Sequence, residues 1–340
     1  MSESSPTPLV SVLVTTYNHE KYIAQAIESI LAQTCDFRFE VVIGEDCSTD
    51  RTRQICLDLQ KKYPNSIHLI LNKENKGLLK NFRDTFLQCQ GKYIAECAGD
   101  DFWNDPFKLK KQVEILETNE DAVLVHTAWN ELLINENPLL QILTEQKPII
   151  KLRKTNRGCT TVLMNQTNQP FVYTCSACYR KALVEKIFQH YPQFFSENKY
   201  PCEDYQLVFF LLQEGTFYYI DDATITYRVL PESASHSNNP EKSFDFRFGV
   251  LKLRLDLFNE LHLNILDSTD YLQFTYHSLL KLSFRLKRKD LAEKTHMVFN
   301  EIGFQRPTRD RMLYRIIQNR ISLHLCHRLY LLKRIKNDFR

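Results

Sequence analysis

The chain has 340 residues, of which 43% are hydrophobic and 25% are charged, as expected of a soluble globular protein with one large or two modest domains. No run approaches the roughly 18 apolar residues of a membrane-spanning helix. The polar residues 1–8 lack an apolar signal core, so we expect a disordered N-terminus, a cytoplasmic location and ten reduced cysteines rather than disulfides or a zinc site.

The charge is unevenly distributed. Residues 241–340 hold 20 Lys and Arg against 11 Asp and Glu, a net charge of +9, whereas the rest of the chain carries −6. A basic tail on an acidic body predicts contact with an anionic surface. Because basic segments interleaved with aromatic residues are absent, we do not expect nucleic acid to be that partner.

The first hundred residues alternate between short apolar runs and amphipathic segments. This pattern predicts strands at 9–16, 39–44, 67–71 and 93–97, and helices at 20–33, 51–63 and 78–89. Four such alternations with short connections predict an α/β fold with a mostly parallel, doubly wound sheet and helices on both faces.

The later elements are a helix at 106–116, a strand at 122–126, a loop or small hairpin at 130–154 and a strand at 171–181. A helix that begins near 201 and a strand pair at 218–220 and 224–229 follow. Beyond residue 240 the pattern is helical, at 244–261, 271–286 and 312–336. We therefore expect a domain at 9–238, divided into halves 9–105 and 106–238, and a basic α-helical C-terminal region at 239–340.

Two adjacent carboxylates, Asp100 and Asp101, follow the fourth strand. The carboxyl ends of parallel strands are where open α/β sheets bind their ligands, and paired carboxylates favour Mg²⁺ or Mn²⁺. No GxGxxG follows the first strand and no GxxxxGK[ST] occurs, which argues against a dinucleotide oxidoreductase and a P-loop NTPase. A solvated acidic turn is the alternative interpretation.

Four short segments occur in a fixed order in the first half of the chain. They are Val12–Asn18, Gly44–Asp50, Asn75–Gly77 and Gly99–Trp103. Together they resemble the signature of family 2 glycosyltransferases, which are inverting enzymes of the GT-A fold. The resemblance extends over about residues 8–235 and weakens after 130.

The resemblance implies a nucleotide site at the ends of the first strands. It places Thr15 and Tyr17 at the uracil-type base, the latter by its ring face, and Asp46 at the base N–H with Glu45 beside it. Asp100 matches the metal-binding end of the D-x-D element. From the residues alone, the alternatives are that Tyr17 caps the sheet and that Asp46 caps a helix.

The same resemblance implies the remaining site residues. Asp204 is expected to be the general base, supported by Glu203, although both also suit the first turn of a helix. Further residues are expected as donor-sugar contacts (Asp101, Arg228), acceptor contacts (Trp103, Thr174, Ser176) and a second metal ligand (His236). A structural role for Arg228 is the alternative.

One position departs from the family pattern. Ala98 stands where many relatives carry an acidic residue, and Glu96 could replace it as a ligand only if the strand bends. We therefore expect one metal-ligand carboxylate where relatives often have two.

These inferences predict an inverting glycosyltransferase that moves a sugar from a nucleotide-diphosphate donor, UDP foremost, to a hydroxyl of a glycan or lipid-linked acceptor. Cell-surface polysaccharide or lipopolysaccharide synthesis is the expected context. The rivals are a non-catalytic nucleotide-sugar-binding relative and a nucleotidyltransferase. Whether the basic C-terminal helices contact a membrane peripherally or form a homodimer stays open.

Overall fold

The strands occupy the N-terminal two thirds of the chain. A computed structural model describes residues 7–134, 142–146, 154–167, 172–195, 199–231, 233 and 237–338. The strands are β1 Val10–Thr16, β2 Phe39–Glu45, β3 Ile67–Leu71, β4 Tyr93–Ala98, β5 Phe102–Trp103, β6 Ala122–Leu133, β7 Ile142–Gln146, β8 Lys154–Thr155, β9 Cys178–Arg180 and β10 Thr216–Val229.

The helices alternate with the strands and then continue alone. They are α1 Ile23–Leu31, α2 Thr52–Lys62, α3 Leu78–Phe86, α4 Lys108–Thr118, α5 Thr160–Met164, α6 Lys181–His190, α7 Asp204–Glu214, α8 Pro240–Glu260, α9 Thr269–Leu286, α10 Lys289–Glu301, α11 Thr308–Gln318 and α12 Arg320–Asp338. None of the helices within the described ranges is long and apolar enough to span a bilayer.

One sheet has the strand order β3-β2-β1-β4-β9-β6-β10-β5, with β7 paired to β6 and β8 to β10. Strands β1 to β4 are parallel, and β6 pairs in parallel with β10. Strand β9 runs antiparallel between β4 and β6. The predicted α/β class and mostly parallel sheet are confirmed.

Alternate residues of each strand point to opposite sides of the sheet. Helices cover both of these sides. Val10, Val12 and Val14 of β1 share one apolar cluster with residues of α1, α2 and α4. On the other side α3 packs against β1 and β2. Its Phe86 meets Phe188 of α6, with ring centroids 5.0 Å apart. The prediction of helices on both faces is confirmed.

Three element predictions were wrong in detail. The predicted strand pair at 218–220 and 224–229 is one strand, β10, with irregular register between Ile220 and Ile225. Within 172–181, the described part of the predicted strand at 171–181, only Cys178–Arg180 forms a strand, because Thr174–Ser176 forms a 3₁₀ turn. The predicted helix at 312–336 is interrupted at Asn319.

The side chain of Asn319 explains this interruption. It accepts hydrogen bonds from the backbone N–H groups of Ile321 and Ser322, so it caps α12 and ends the preceding helix.

The chain divides into two compact units, Met1–Leu163 with Gln169–Leu230, and Met164–Asn168 with Pro231–Arg340. The first contains the sheet. The second contains α8 to α12 around its own apolar cluster, which includes Phe244, Tyr276 and Phe299. The predicted boundary at 238 lies close to this division. Most of the predicted disordered N-terminus, residues 1–6, lies outside the described residues.

Candidate active site

The ends of β1, β2 and β4 form the edge at which the predicted nucleotide residues meet. Thr15 pairs with Gly44 of β2 on one side and Ala98 of β4 on the other. The backbone continues this register, since Gly99 N–H donates to the Thr15 carbonyl (3.0 Å) and Asp46 N–H to the Thr16 carbonyl (3.0 Å). Three of the four signature segments therefore converge at one sheet edge.

Tyr17 presents its ring at this edge. The side chain of the next residue, Asn18, accepts a hydrogen bond from Thr49 N–H (2.8 Å), and its own N–H donates to Ser48 Oγ (3.0 Å). These bonds fasten the loop after β1 to the loop after β2. Tyr17 stays 42% exposed, which leaves its ring available for stacking.

Asp46 and Glu45 are both buried and bonded to the protein. The Asp46 carboxylate accepts hydrogen bonds from Asn72 Nδ2 (2.9 Å) and from the backbone N–H groups of Lys76 (2.8 Å) and Gly77 (2.9 Å). Glu45 accepts from Ser48 N–H (2.6 Å) and Arg53 Nε (2.5 Å). In this structure Asp46 therefore organises the loop around Gly77, and its contact with a base stays a prediction.

Asp100 is the open member of its pair. Its side chain is 17% exposed, and Oδ2 lies 3.9 Å from His19 Nε2. The preceding residue must be glycine, because a Cβ at Gly99 would lie 2.6 Å from Thr16 Oγ1 and 2.7 Å from His19 Nδ1. His19 was not predicted as a neighbour of Asp100, although it directly follows the first signature segment, Val12–Asn18.

Asp101 points into the protein instead. It is fully buried, and its Oδ1 accepts a hydrogen bond from the backbone N–H of Arg228 (2.9 Å). Burial, and then the charge of Asp100, raise the pKa of this carboxyl well above its ordinary value. Its predicted contact with the donor sugar stays a prediction that requires the side chain to be uncovered.

Asp100 suits a divalent cation site in which a bound phosphate supplies some of the metal ligands. Within the described ranges, no group of three or more His, Cys, Asp or Glu side chains is arranged to bind a metal, and His236 lies outside those ranges. Mg²⁺ in such sites typically uses one or two carboxylates, and phosphate oxygens and water supply the remaining ligands. The partly exposed side chain of Asp100 provides one such carboxylate.

A second acidic group lies at the start of α7. Glu203 immediately precedes the helix and Asp204 is its first residue. Burial, then the charges of Asp204 and Glu96, raise the pKa of Glu203 well above its ordinary value. Glu203, Asp204 and Glu96 therefore interact electrostatically and form one acidic group.

Glu96 lies in β4 and is 5% exposed. The Tyr179 hydroxyl donates to its Oε1 at 2.5 Å. Burial is the main cause that raises the pKa of Glu96 to about 7, and the charge of Asp204 adds to it. Glu96 is thus directed to Tyr179 and the start of α7, so the structure offers no support for its use as a metal ligand beside Asp100.

The three predicted acceptor residues are buried. Trp103 is 4% exposed, and Lys108 Nζ lies 4.4 Å from its ring centroid. Ser176 donates its hydroxyl to the Tyr173 carbonyl (2.7 Å), and Thr174 bonds to Glu96. Acceptor contact by these residues stays a prediction, since their present partners are interior protein groups.

The sequence pattern that defines the family described as Glycosyl transferase family 2 matches residues 11–188. The chain belongs to glycosyl transferase family 2. The match covers β1 to β4 and the Asp100–Asp101 turn, and it ends within α6. The resemblance inferred from the four signature segments is confirmed.

Two relatives illustrate how parts of this family 2 chain match other proteins. The putative teichuronic acid biosynthesis glycosyltransferase TuaG of Bacillus subtilis is 32% identical over 167 residues, which are 48% of this chain and 65% of TuaG. An uncharacterized Mycobacterium tuberculosis protein is 38% identical over 115 residues, 34% of this chain and 33% of that protein. The chain thus spans between a third and about two thirds of these relatives' lengths.

Solved structures share the fold. S. aureus TarS (residues 1–349) in complex with UDP-GlcNAc superposes with a TM-score of 0.60 at 19% identity, covering 95% of this chain and 92% of that chain. The mannosyltransferase PcManGT from Pyrobaculum calidifontis, in complex with GDP-Man and Mn²⁺, gives a TM-score of 0.53 at 14% identity, covering 95% and 88%. The GT-A fold with a C-terminal helical extension is confirmed.

Proposed function

We propose that this chain is an inverting glycosyltransferase that moves a sugar from a UDP-type nucleotide-diphosphate donor to a hydroxyl of a glycan or lipid-linked acceptor. The main support is the sheet edge that brings together the exposed ring of Tyr17 and the open carboxylate of Asp100. The name of TuaG supports a context in cell-surface polysaccharide synthesis, and the UDP-GlcNAc complex of TarS supports a uridine donor.

Donor binding in this proposal uses both features of the edge. Tyr17 stacks on the base, and the buried Asp46 holds the adjoining loop through Lys76 and Gly77. Asp100 holds Mg²⁺ or Mn²⁺, which neutralises charge on the leaving diphosphate when bound. The Mn²⁺ complex of PcManGT supports this choice of ion.

Proton removal is assigned to Asp204. In a single displacement the acceptor oxygen bonds to the anomeric carbon as the bond to the donor phosphate breaks, and the hydroxyl proton passes to Asp204. Glu203 and Glu96 are its neighbouring carboxyl groups, and burial raises the pKa of each.

The proposal is tested with purified protein, Mn²⁺ and a panel of UDP-, GDP- and dTDP-sugars, by chromatography of released nucleotide diphosphate. We expect release from at least one UDP-sugar, and loss of release with chelator. Donor binding without release across acceptors would instead support the non-catalytic rival. Pyrophosphate release from a nucleoside triphosphate would support the nucleotidyltransferase.

The C-terminal unit carries a surface suited to an anionic bilayer. On α12 an exposed apolar row lies beside an exposed basic row, since residues four apart share one helix face. The apolar row is Ile321 (73% exposed), Leu325 (56%) and Leu329 (62%), and the basic row is Arg320, His324 and Arg328. Such a helix binds an anionic leaflet by insertion of its apolar side chains and by charge attraction.

Vesicle flotation tests this contact. We expect binding to vesicles that contain phosphatidylglycerol, weak binding to purely zwitterionic vesicles, and loss of binding in Ile321→Glu/Leu325→Glu. Met297→Glu is the matched control, because Met297 on α10 is also 61% exposed. The alternative result is a wild-type protein that does not bind anionic vesicles and is dimeric in light scattering, and a double variant that is monomeric. That result would assign the apolar row to a homodimer interface.

A further inference from the structure

Arg228 belongs to the strand that borders the acidic turn. Strand β10 pairs with β5, so that Thr226 lies opposite Phe102 and Ile225 opposite Trp103. This pairing brings Arg228, two residues further along β10, beside Asp100 and Asp101. The side chain is 5% exposed, so it lies within the protein rather than on an open surface.

The guanidinium group is occupied by protein atoms. Its Nη1 donates to the backbone carbonyl of Asp100, and its Nη2 donates to Oε1 of Gln25 in α1. Its central carbon lies 5.0 Å from the ring centroid of Tyr22 and 4.6 Å from that of Phe102. These contacts fix the plane and the position of the guanidinium.

The backbone of the same residue holds the second half of the turn. Arg228 N–H donates to Asp101 Oδ1 at 2.9 Å. The side chain of Arg228 therefore donates to the carbonyl of the peptide that joins Asp100 to Asp101. The backbone N–H of Arg228 donates to the side chain of Asp101. Because a carboxylate's direction depends on its own backbone, this double attachment sets where the Asp100 carboxylate points.

We propose that Arg228 is a positioning residue, which holds the Asp100 peptide so that the Asp100 carboxylate meets the cation bound with the donor diphosphate, and that Arg228 does not touch the donor. This inference rests on the proposed function. It replaces the predicted contact between Arg228 and the donor. Arginine suits the task because its planar fork reaches Asp100 and Gln25 at once, which the single ammonium of lysine cannot do.

The test compares Arg228→Lys with wild type by calorimetric titration of UDP, with and without Mn²⁺. We expect the Mn²⁺ concentration at half-effect to rise about 10- to 100-fold, the typical cost of losing a group that orients a metal ligand, while UDP affinity without metal stays within about twofold. An equal loss of UDP affinity with and without Mn²⁺ would show direct contact with the donor and overturn the inference, as would an unchanged Mn²⁺ requirement.

Two further variants separate positioning from general damage. Gln25→Ala, at an exposed position, should raise the Mn²⁺ requirement in the same direction, and the double variant should add little to Arg228→Lys because both act on one contact. Additive effects would contradict a shared role. Gln25→Ala also keeps the test available if Arg228→Lys does not fold.

Arg180→Lys is the matched control. Arg180 likewise donates to backbone carbonyls, those of Ala122 (2.6 Å) and Leu116 (2.7 Å), but it pairs with Tyr93 at the opposite end of β4. We expect a similar loss of thermal stability and no change in the Mn²⁺ requirement. If Mn²⁺ does not change UDP binding by the wild-type protein, the metal dependence in the proposed function is wrong. That result is distinct from one that contradicts the positioning role of Arg228.

Discussion

The two acidic pairs of the sheet-containing unit are arranged differently. Asp100 and Asp101 follow a strand, where successive side chains point in opposite directions. One is therefore open at the site and the other is buried against the backbone of Arg228. Glu203 and Asp204 begin a helix, so both remain partly exposed at one helix end, in electrostatic contact with Glu96.

This difference assigns different work to the two pairs. In the strand-end pair, ligand binding and structural support fall on separate residues. In the helix-start pair, the carboxylates share one environment, and each affects the protonation of the other. Substitutions should therefore separate cleanly in the first pair and interact in the second.

Asp204→Asn should have the largest effect. Removal of a general base lowers turnover by about 10²- to 10⁴-fold, while UDP affinity should stay within about twofold of wild type because Asp204 is assigned no donor contact. Initial rates of UDP release, with titration of UDP, check both expectations. Glu203→Gln is the neighbouring control, with a loss of less than about 10-fold; equal losses in the two variants would end the distinction between base and supporting residue.

Glu96 should make folding stability depend on pH. Because burial raises its pKa from 4.5 to about 7, the folded protein keeps a proton that the unfolded chain releases at lower pH. Its contribution is fully present below about pH 4.5 and is lost as pH rises through about 7, by up to about 3 kcal/mol.

The difference between wild type and Glu96→Gln in urea-unfolding free energy isolates this contribution. We expect Glu96→Gln to gain stability relative to wild type between about pH 5 and pH 7.5. The raised pKa of Asp101 contributes to both proteins and cancels in the difference. The pKa of Glu203 includes the charge of Glu96, so its contribution changes in Glu96→Gln in the same direction as the expected gain. A difference that does not change with pH would show that Glu96 is not held in a low-dielectric environment.

Asp101→Ala should lower the free energy of unfolding more than Asp100→Ala does. Loss of the Asp101 acceptor leaves the buried Arg228 N–H unpaired, which costs about 1–3 kcal/mol. Asp100→Ala should change the free energy of unfolding by less than about 0.5 kcal/mol, as for other open positions. Denaturant unfolding of both variants measures this, and similar losses would contradict the division of roles in the strand-end pair.

Much of the fold was accessible from local sequence patterns. Strands β1 to β4 and helices α2 and α3 follow apolar runs and amphipathic periods, and they were predicted close to their observed bounds. The antiparallel insertion of β9 between β4 and β6 was not predicted, because a strand of three residues has no distinctive apolar period. The interruption at Asn319 was missed because the apolar pattern continues past a residue whose capping side chain ends one helix and starts another.

The site was predictable where its residues are close in sequence. Tyr17 and Asp100 were identified within short ordered segments, and the structure brings them to one edge. The link from Arg228 to Gln25 joins residues 203 positions apart, and Tyr179 meets Glu96 across 83 positions. Such contacts arise from the pairing of distant elements, which a single sequence does not encode locally. The burial of Trp103 and Ser176 was missed for the same reason.

The central claim is that Asp100 binds the cation that holds the donor diphosphate. Titration of UDP into wild type and Asp100→Asn, each with and without Mn²⁺, tests it directly. We predict that Mn²⁺ strengthens UDP binding by about 10-fold or more in wild type and by less than about twofold in Asp100→Asn, with equal affinities in the absence of metal. An unchanged Mn²⁺ effect in Asp100→Asn would contradict the claim.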